Sequence, residues 1–260
     1  MKNWREITFD NVKIKYLTLG EGEEYVVVLQ GWATKSELYG DVLSTLAEKY
    51  TVIFPALPGF GESDEPDRSF CVSDYAELVN RLLRELGIER ARFFCHSYGG
   101  RVFFKLNAAE NRYTEAISVV LCDTAGVVPK KSLYKKLKIK LYKLGRRILS
   151  TRAARFFFPD ALEELRRKNG SADYNSATPV MRETLVRSVN EDLSHLFCQV
   201  TCPALIMWGV HDDAVPLSDA YIMNDAIADS AVIEFEQSGH FPFITEKARF
   251  LAITRSFFEI

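Results

Sequence analysis

Strand-like apolar runs alternate with helix-period segments along almost the whole chain, and this alternation restricts the possible folds more than any other feature. Residues 25–30 (Tyr-Val-Val-Val-Leu-Gln) form a near-continuous apolar run, as expected of a strand covered on both faces. Residues 51–56, 91–95, 116–122, 204–208 and 231–235 read as further short strands. Between them, residues 72–86 place Tyr75, Leu78, Val79, Leu82, Leu83 and Leu86 at helical spacing, with Ser73 as the expected N-cap and Gly87 as the C-cap. Helices are also predicted over 36–49, 98–109, 218–227 and 246–258, and a hairpin joins 5–9 to 12–19 about Asp10-Asn11. The pattern predicts an α/β fold: a mostly parallel central sheet with helices on both faces, joined by right-handed crossovers.

Composition narrows the class of protein. The 260 residues suit one large α/β domain. At 47% hydrophobic and 26% charged residues, with net charge −2, nothing selects for nucleic acid. No apolar run approaches the roughly 20 residues of a membrane span, so stable membrane insertion is not expected. The opening Met-Lys-Asn-Trp-Arg-Glu lacks the apolar stretch of a secretory leader. The five cysteines (Cys71, Cys95, Cys122, Cys198, Cys202) are odd in number and lack the paired spacing of a zinc site. Free thiols and a cytoplasmic location are the expectation. Oligomeric state is left open.

The alternation breaks over residues 127–199, which are helical in pattern and carry no strand signal. They read as a helical insertion acting as a cap or lid, with 1–126 and 200–260 as the two parts of the core. Within it, residues 130–168 hold 14 Lys and Arg against 3 Asp and Glu, while the rest of the chain is acidic. Leu133, Leu137, Leu141, Leu144 and Ile148 fall at helical spacing there, predicting an amphipathic basic helix. Two readings stay open: a cap helix with a solvated basic face, or recognition of an anionic substrate or membrane surface.

Candidate chemistry clusters at strand ends, where open α/β sheets build their sites. Cys95-His96-Ser97-Tyr98-Gly99-Gly100 stands between a strand and a helix. A tight turn there lifts the serine hydroxyl above the sheet edge, small neighbours let helix and strand approach, and the helix N-terminus favours developing negative charge. A serine nucleophile needs a base held by a third group. Downstream, Met207-Trp208-Gly209 ends a strand and runs into Val210-His211-Asp212-Asp213-Ala214-Val215-Pro216, and Gln237-Ser238-Gly239-His240-Phe241-Pro242 closes the next.

These segments resemble the α/β-hydrolases. The first is similar to the nucleophile elbow G-x-S-x-G, with Cys95 in place of the first glycine. The second resembles W-G-x-x-D…V-P and the third S-G-H-x-P, in the family's order Ser, Asp, His. The resemblance implies Ser97 as nucleophile, His240 as base and Asp212, rather than Asp213, as the acid. Leu29-Gln30-Gly31-Trp32 stands where the family usually has His-Gly, implying an oxyanion hole from the backbone N–H groups of Trp32 and Tyr98. The run from Phe54 to Ser63 resembles P-D-x-P-G-x-G-x-S, with Ala56 in place of the acid. The likeness spans residues 25–124 and 203–258.

The activity so implied is serine hydrolysis of a carboxylic ester through an acyl-enzyme, on a small, largely apolar substrate, with no metal or organic cofactor. Haloalkane dehalogenases and epoxide hydrolases carry Asp at the Ser97 position and are disfavoured. Thioester cleavage, carbon–carbon bond hydrolysis in a diketone, and perhydrolysis use the same triad and stay open, as does a non-catalytic ligand receptor on this fold. His96 is expected to point away from Ser97 and His211 to be a loop residue. Phe93, Phe94, Phe103 and Phe104 are expected in the core.

Overall fold

Asp10 and Asn11 both take positive φ (50° and 65°), which suits the right-handed twist of a two-residue hairpin and turns β1 (Trp4–Phe9) back along β2 (Val12–Leu19). The computed structural model describes residues 4–128, 133–169 and 171–260. Lys130 and Lys131 of the basic segment lie outside them, and the side chains of Leu133 and Leu137 are likewise not described.

After the hairpin come β3 (Tyr25–Leu29), a 3-10 turn at Ser36–Tyr39, α1 (Gly40–Leu46), β4 (Thr51–Ala56), α2 (Val72–Glu85), β5 (Arg90–His96), α3 (Tyr98–Asn107) and β6 (Glu115–Cys122). The next described elements are all helical: α4 (Leu133–Leu149), α5 (Arg152–Phe157), α6 (Ala161–Asn169), α7 (Ala172–Ser176), α8 (Pro179–Val189) and a 3-10 stretch at Ser194–Gln199. The chain then returns through β7 (Ala204–Gly209), α9 (Ser218–Ala226), β8 (Ser230–Phe235), α10 (Pro242–Thr245) and α11 (Lys247–Phe258).

The eight strands form one sheet in the order β1-β2-β4-β3-β5-β6-β7-β8. β2 pairs antiparallel with both β1 and β4, and every later pairing is parallel. The mostly parallel sheet with helices on both faces is therefore the observed architecture. β3 shows why its sequence reads as a solid apolar run. Val27 and Leu29 pack into the core beneath α2, α3 and α9, Val26 and Val28 into the core beneath α1 and α11, and all four are fully buried. Phe93, Phe103 and Phe104 belong to the first core and Phe94 to the second. Among the described residues, no helix is long and apolar enough to cross a membrane.

Two local expectations need correction. The helix predicted over 36–49 divides into a 3-10 turn and the shorter α1, and Tyr39 at the junction reaches Gly31 and His96 through its hydroxyl. The N-cap of α2 is Cys71, not Ser73. Asp74, one turn in, reaches back to accept the Cys71 N–H at 2.6 Å. Burial would raise the Asp74 carboxyl, yet the Arg68 and Cys71 hydrogen bonds hold it down at about 2. Gly87 does end the helix, with φ +68.

Candidate active site

Ser97 follows directly on β5, and its backbone sits at φ 50, ψ −110, a sparsely populated region for a residue with a side chain. Two backbone bonds hold it there: the Ser97 N–H donates to the Cys122 carbonyl, and the Ala125 N–H donates to the Ser97 carbonyl, both at 3.0 Å. α3 begins at the next residue and lies so close to β3 that a Cβ on Gly99 would stand 2.1 Å from the Leu29 carbonyl oxygen. The small residue two places after the serine is thus a packing requirement. Cys95, in the first glycine's place, is fully buried in the strand.

The turn presents Ser97 Oγ 2.9 Å from His240 Nε2. On the other side of the ring, His240 Nδ1 is 2.7 Å from Asp212 Oδ2. An ionised carboxylate only accepts, so the proton sits on Nδ1 and leaves Nε2 to accept from the serine hydroxyl. Asp212 Oδ1 accepts the N–H groups of Ala214 and Val215 at 2.7 and 2.9 Å. Burial alone would push the Asp212 carboxyl up; the His240 hydrogen bond and these amides hold it below the usual carboxylate value. Trp208 anchors the loop by donating from Nε1 to the Val215 carbonyl at 3.1 Å. Gly209 allows the β7 and β8 loops to touch, since a Cβ there would lie 2.0 Å from the Gly239 carbonyl oxygen. Asp213, by contrast, is exposed.

The structure therefore brings Ser97, His240 and Asp212 into one hydrogen-bonded line. Trp32 and Tyr98 stand beside it with ring centroids 5.3 Å apart. Tyr98 is the first residue of α3, a position whose N–H has no acceptor within the helix. Phe60 and Tyr75 extend the aromatic cluster around Tyr98. Gln30, where histidine is usual, is fully buried and donates from Nε2 to the Thr34 carbonyl. His211 is exposed and meets Ser238 only through its backbone N–H.

His96 makes contacts that its place in the sequence does not reveal. It is fully buried with its ring centroid 4.9 Å from that of His240, and Nε2–H donates to the His240 carbonyl at 2.9 Å. Because that carbonyl can only accept, Nδ1 must accept, and it lies 2.9 Å from the Tyr39 hydroxyl. The same hydroxyl accepts the Gly31 N–H at 2.8 Å. Tyr39 and His96 thus tie the Gly31-Trp32 loop to the His240 loop. Burial, with the neighbouring His240, lowers His96 to about 3, so it stays neutral.

Asp123 is the other residue that local patterns did not single out. It follows β6 in the left-handed region (φ 43), is fully buried, and its Oδ1 accepts the Gly209 N–H at 2.9 Å. Acceptor atoms of Asp123, Asp212 and His240 lie within 4.8 Å of one another, a set that could hold a cation. Those atoms already bond to one another and to loop amides, which suits a hydrogen-bonded network better. Burial first, and the charge of Asp212 after it, raise the Asp123 carboxyl, so it stays protonated well above the usual range. Its only sequence signal is an acid at a strand's C-terminal end.

A raised carboxyl binds a proton in the folded state that the unfolded chain has released. Stability is therefore full below the unfolded value near 4 and is lost as pH rises toward the folded one. Asp123→Asn, which keeps the Gly209 acceptor but does not ionise, should lose less stability between pH 5 and 8 than the wild type. A difference of at least about 1.4 kcal/mol, the equivalent of one pKa unit, is expected in urea titrations. Equal losses would show that Asp123 is not held protonated.

Comparison with known proteins identifies the family. The sequence model of the alpha/beta hydrolase family matches residues 26–253. The pimeloyl-[acyl-carrier protein] methyl ester esterase of Proteus mirabilis is 23% identical, over 92% of this chain and 94% of its own. An uncharacterized protein of Mycobacterium tuberculosis is 26% identical, over 90% of this chain and 75% of its own. Among solved structures, an esterase from Exiguobacterium antarcticum superposes over the full length of both chains with a TM-score of 0.73 at 22% identity. The enol-lactonase of Burkholderia xenovorans does so with a TM-score of 0.73 at 20% identity, over 98% of this chain and 100% of that one. At such identities the structural likeness carries the fold alone.

Proposed function

This chain belongs to the alpha/beta hydrolase family, and on that premise we propose that it is a serine hydrolase cleaving a carboxylic ester of a small, largely apolar substrate. The observation that carries the reading is the line from Ser97 Oγ through His240 to Asp212, with bonds of 2.9 and 2.7 Å. Ser97 attacks the ester carbonyl while His240 Nε2 takes its proton. The tetrahedral oxyanion is held by the Trp32 and Tyr98 amides. His240 then returns the proton to the leaving alkoxide, giving the alcohol and an acyl-enzyme. Water, deprotonated by the same nitrogen, attacks the acyl carbon; as the acyl–Oγ bond breaks, His240 passes that proton to Ser97 Oγ and the acid is freed. Asp212 keeps the proton on Nδ1 and steadies the imidazolium between these steps.

Residues 127–199 serve as the cap in this reading. Support comes from α8, where Ser188 Oγ hydrogen-bonds the Tyr98 hydroxyl at 2.9 Å and Thr184 Oγ1 accepts the Phe70 N–H at 3.0 Å. The aromatic ring cluster and Met181 beside it supply an apolar setting for the acyl group. The ester class is supported by the name of the Proteus mirabilis relative. The unpaired state of all five cysteines fits a reducing, cytoplasmic setting.

Labelling with a fluorophosphonate, followed by peptide mass analysis, tests the nucleophile. The expected result is one adduct on Ser97, together with turnover of p-nitrophenyl esters across a graded chain-length series. No adduct on Ser97 and no ester turnover would overturn the proposal. Thioesters and diketones in the same panel report whether another bond is preferred.

A further inference from the structure

The described part of the basic insertion's apolar stripe, Leu141, Leu144 and Ile148, is not buried. On α4, Tyr142, Gly145 and Leu149 are half-buried, and a Cβ on Gly145 would meet Leu165 of α6 at 3.4 Å, so this side packs on α6. Leu141, Leu144 and Ile148, at i, i+3 and i+7, face solvent at 61%, 55% and 55% exposure. α5 then ends in Phe156 and Phe157, followed by Phe158, at 81%, 71% and 63%. Of the 11 large apolar side chains exposed among the described residues, six lie on this stretch. A concentration of that kind marks a surface that something covers.

Charge decides what covers it. Lys143, Arg146, Arg147 and Arg152 are exposed on the same two helices, within a segment of 14 Lys and Arg against 3 Asp and Glu. A second copy of the chain would bring two such positive surfaces together, which like-charge repulsion opposes. An acidic surface with an apolar interior satisfies both features at once. We propose that the α4–α5 face docks on an anionic lipid bilayer, with Leu141, Leu144, Ile148 and the phenylalanines entering the headgroup–acyl boundary and the cations pairing with headgroup charges. This is attachment to one leaflet, without a spanning segment. It is independent of the hydrolase reading, because binding is measured without turnover.

The test is sedimentation of the full chain with vesicles of equimolar phosphatidylserine and phosphatidylcholine, or of phosphatidylcholine alone. Binding to the anionic vesicles is expected, and roughly tenfold or more weaker binding to the neutral ones. Raising NaCl from about 0.1 M to 1 M shortens the Debye length from about 10 Å to 3 Å and should weaken anionic binding similarly. Two variants separate the contributions: Phe156→Ser with Phe157→Ser, and Lys143→Gln with Arg146→Gln and Arg147→Gln. Each should bind at least about tenfold more weakly with an unchanged thermal transition. Should the phenylalanine pair disturb folding, Leu144→Gln with Ile148→Gln makes the same test. A wild type that stays in the supernatant with both vesicle types overturns the proposal, as do variants that sediment like the wild type. So does a dimer in solution that the phenylalanine variant converts to monomer, which would assign the face to a second copy.

Discussion

Ser97→Ala protein should fold normally and lose ester hydrolysis by about 10³-fold or more. The side chain's hydrogen bond is to His240 Nε2, so removing Oγ leaves the core intact. The backbone bonds that fix the elbow, to Cys122 and from Ala125, do not involve the side chain. What disappears is the atom that bonds to the acyl carbon. Circular dichroism and urea titration should show a native protein, while stopped-flow hydrolysis should lose its burst as well as its steady rate. Folded Ser97→Ala protein with near wild-type turnover would remove Ser97 from the mechanism.

The second large effect separates two adjacent acids. Asp212→Asn should lower kcat by as much as about 10⁴-fold, while Asp213→Asn should leave it close to wild type. An asparagine at 212 can still accept the Ala214 and Val215 amides at 2.7 and 2.9 Å, so the loop keeps its shape. Its amide group, however, can donate to His240 Nδ1, which moves the ring proton to Nε2. A protonated Nε2 cannot accept from Ser97. Asp213 is exposed, and no such consequence follows from its loss of charge. A reversed order of the two effects would mean that the acid had been placed one residue out.

The outline of the site was legible because each part is encoded locally. A strand end followed by a small-residue turn marks the elbow, and Trp208-Gly209 and Ser238-Gly239-His240 mark the loops beyond β7 and β8. Asp123 and Tyr39 were not legible in that way. Asp123 enters the site only because β6 lies between β5 and β7, and Tyr39 only because its ring crosses the second core to reach His96. Neither sits in a pattern of neighbours that distinguishes it from an ordinary strand-end acid or core aromatic. The contacts of His96 were not legible for the same reason. Its position next to Ser97 was visible, but its bond to the His240 carbonyl spans 144 residues.

What the sequence determined by itself was everything set by periodicity and by short-range sterics. The two-faced burial of β3, the helical stripe of α2, the hairpin at Asp10-Asn11 and the close-packed glycine after Ser97 all follow from residues within one or two turns of each other. The helical spacing of Leu141, Leu144 and Ile148 is of this kind too. Tertiary structure alone decided which side of α4 is covered, because α6 takes the side carrying Gly145 and leaves the leucines in solvent. It also decided the protonation of the buried pair. Asp123 and Asp212 have the same chemistry in isolation. One is held neutral by burial and its neighbour's charge, and the other is held ionised by His240 and two loop amides. Periodicity sets which side of an element is apolar, while charge state and cover depend on groups that only the folded chain brings within a few ångströms.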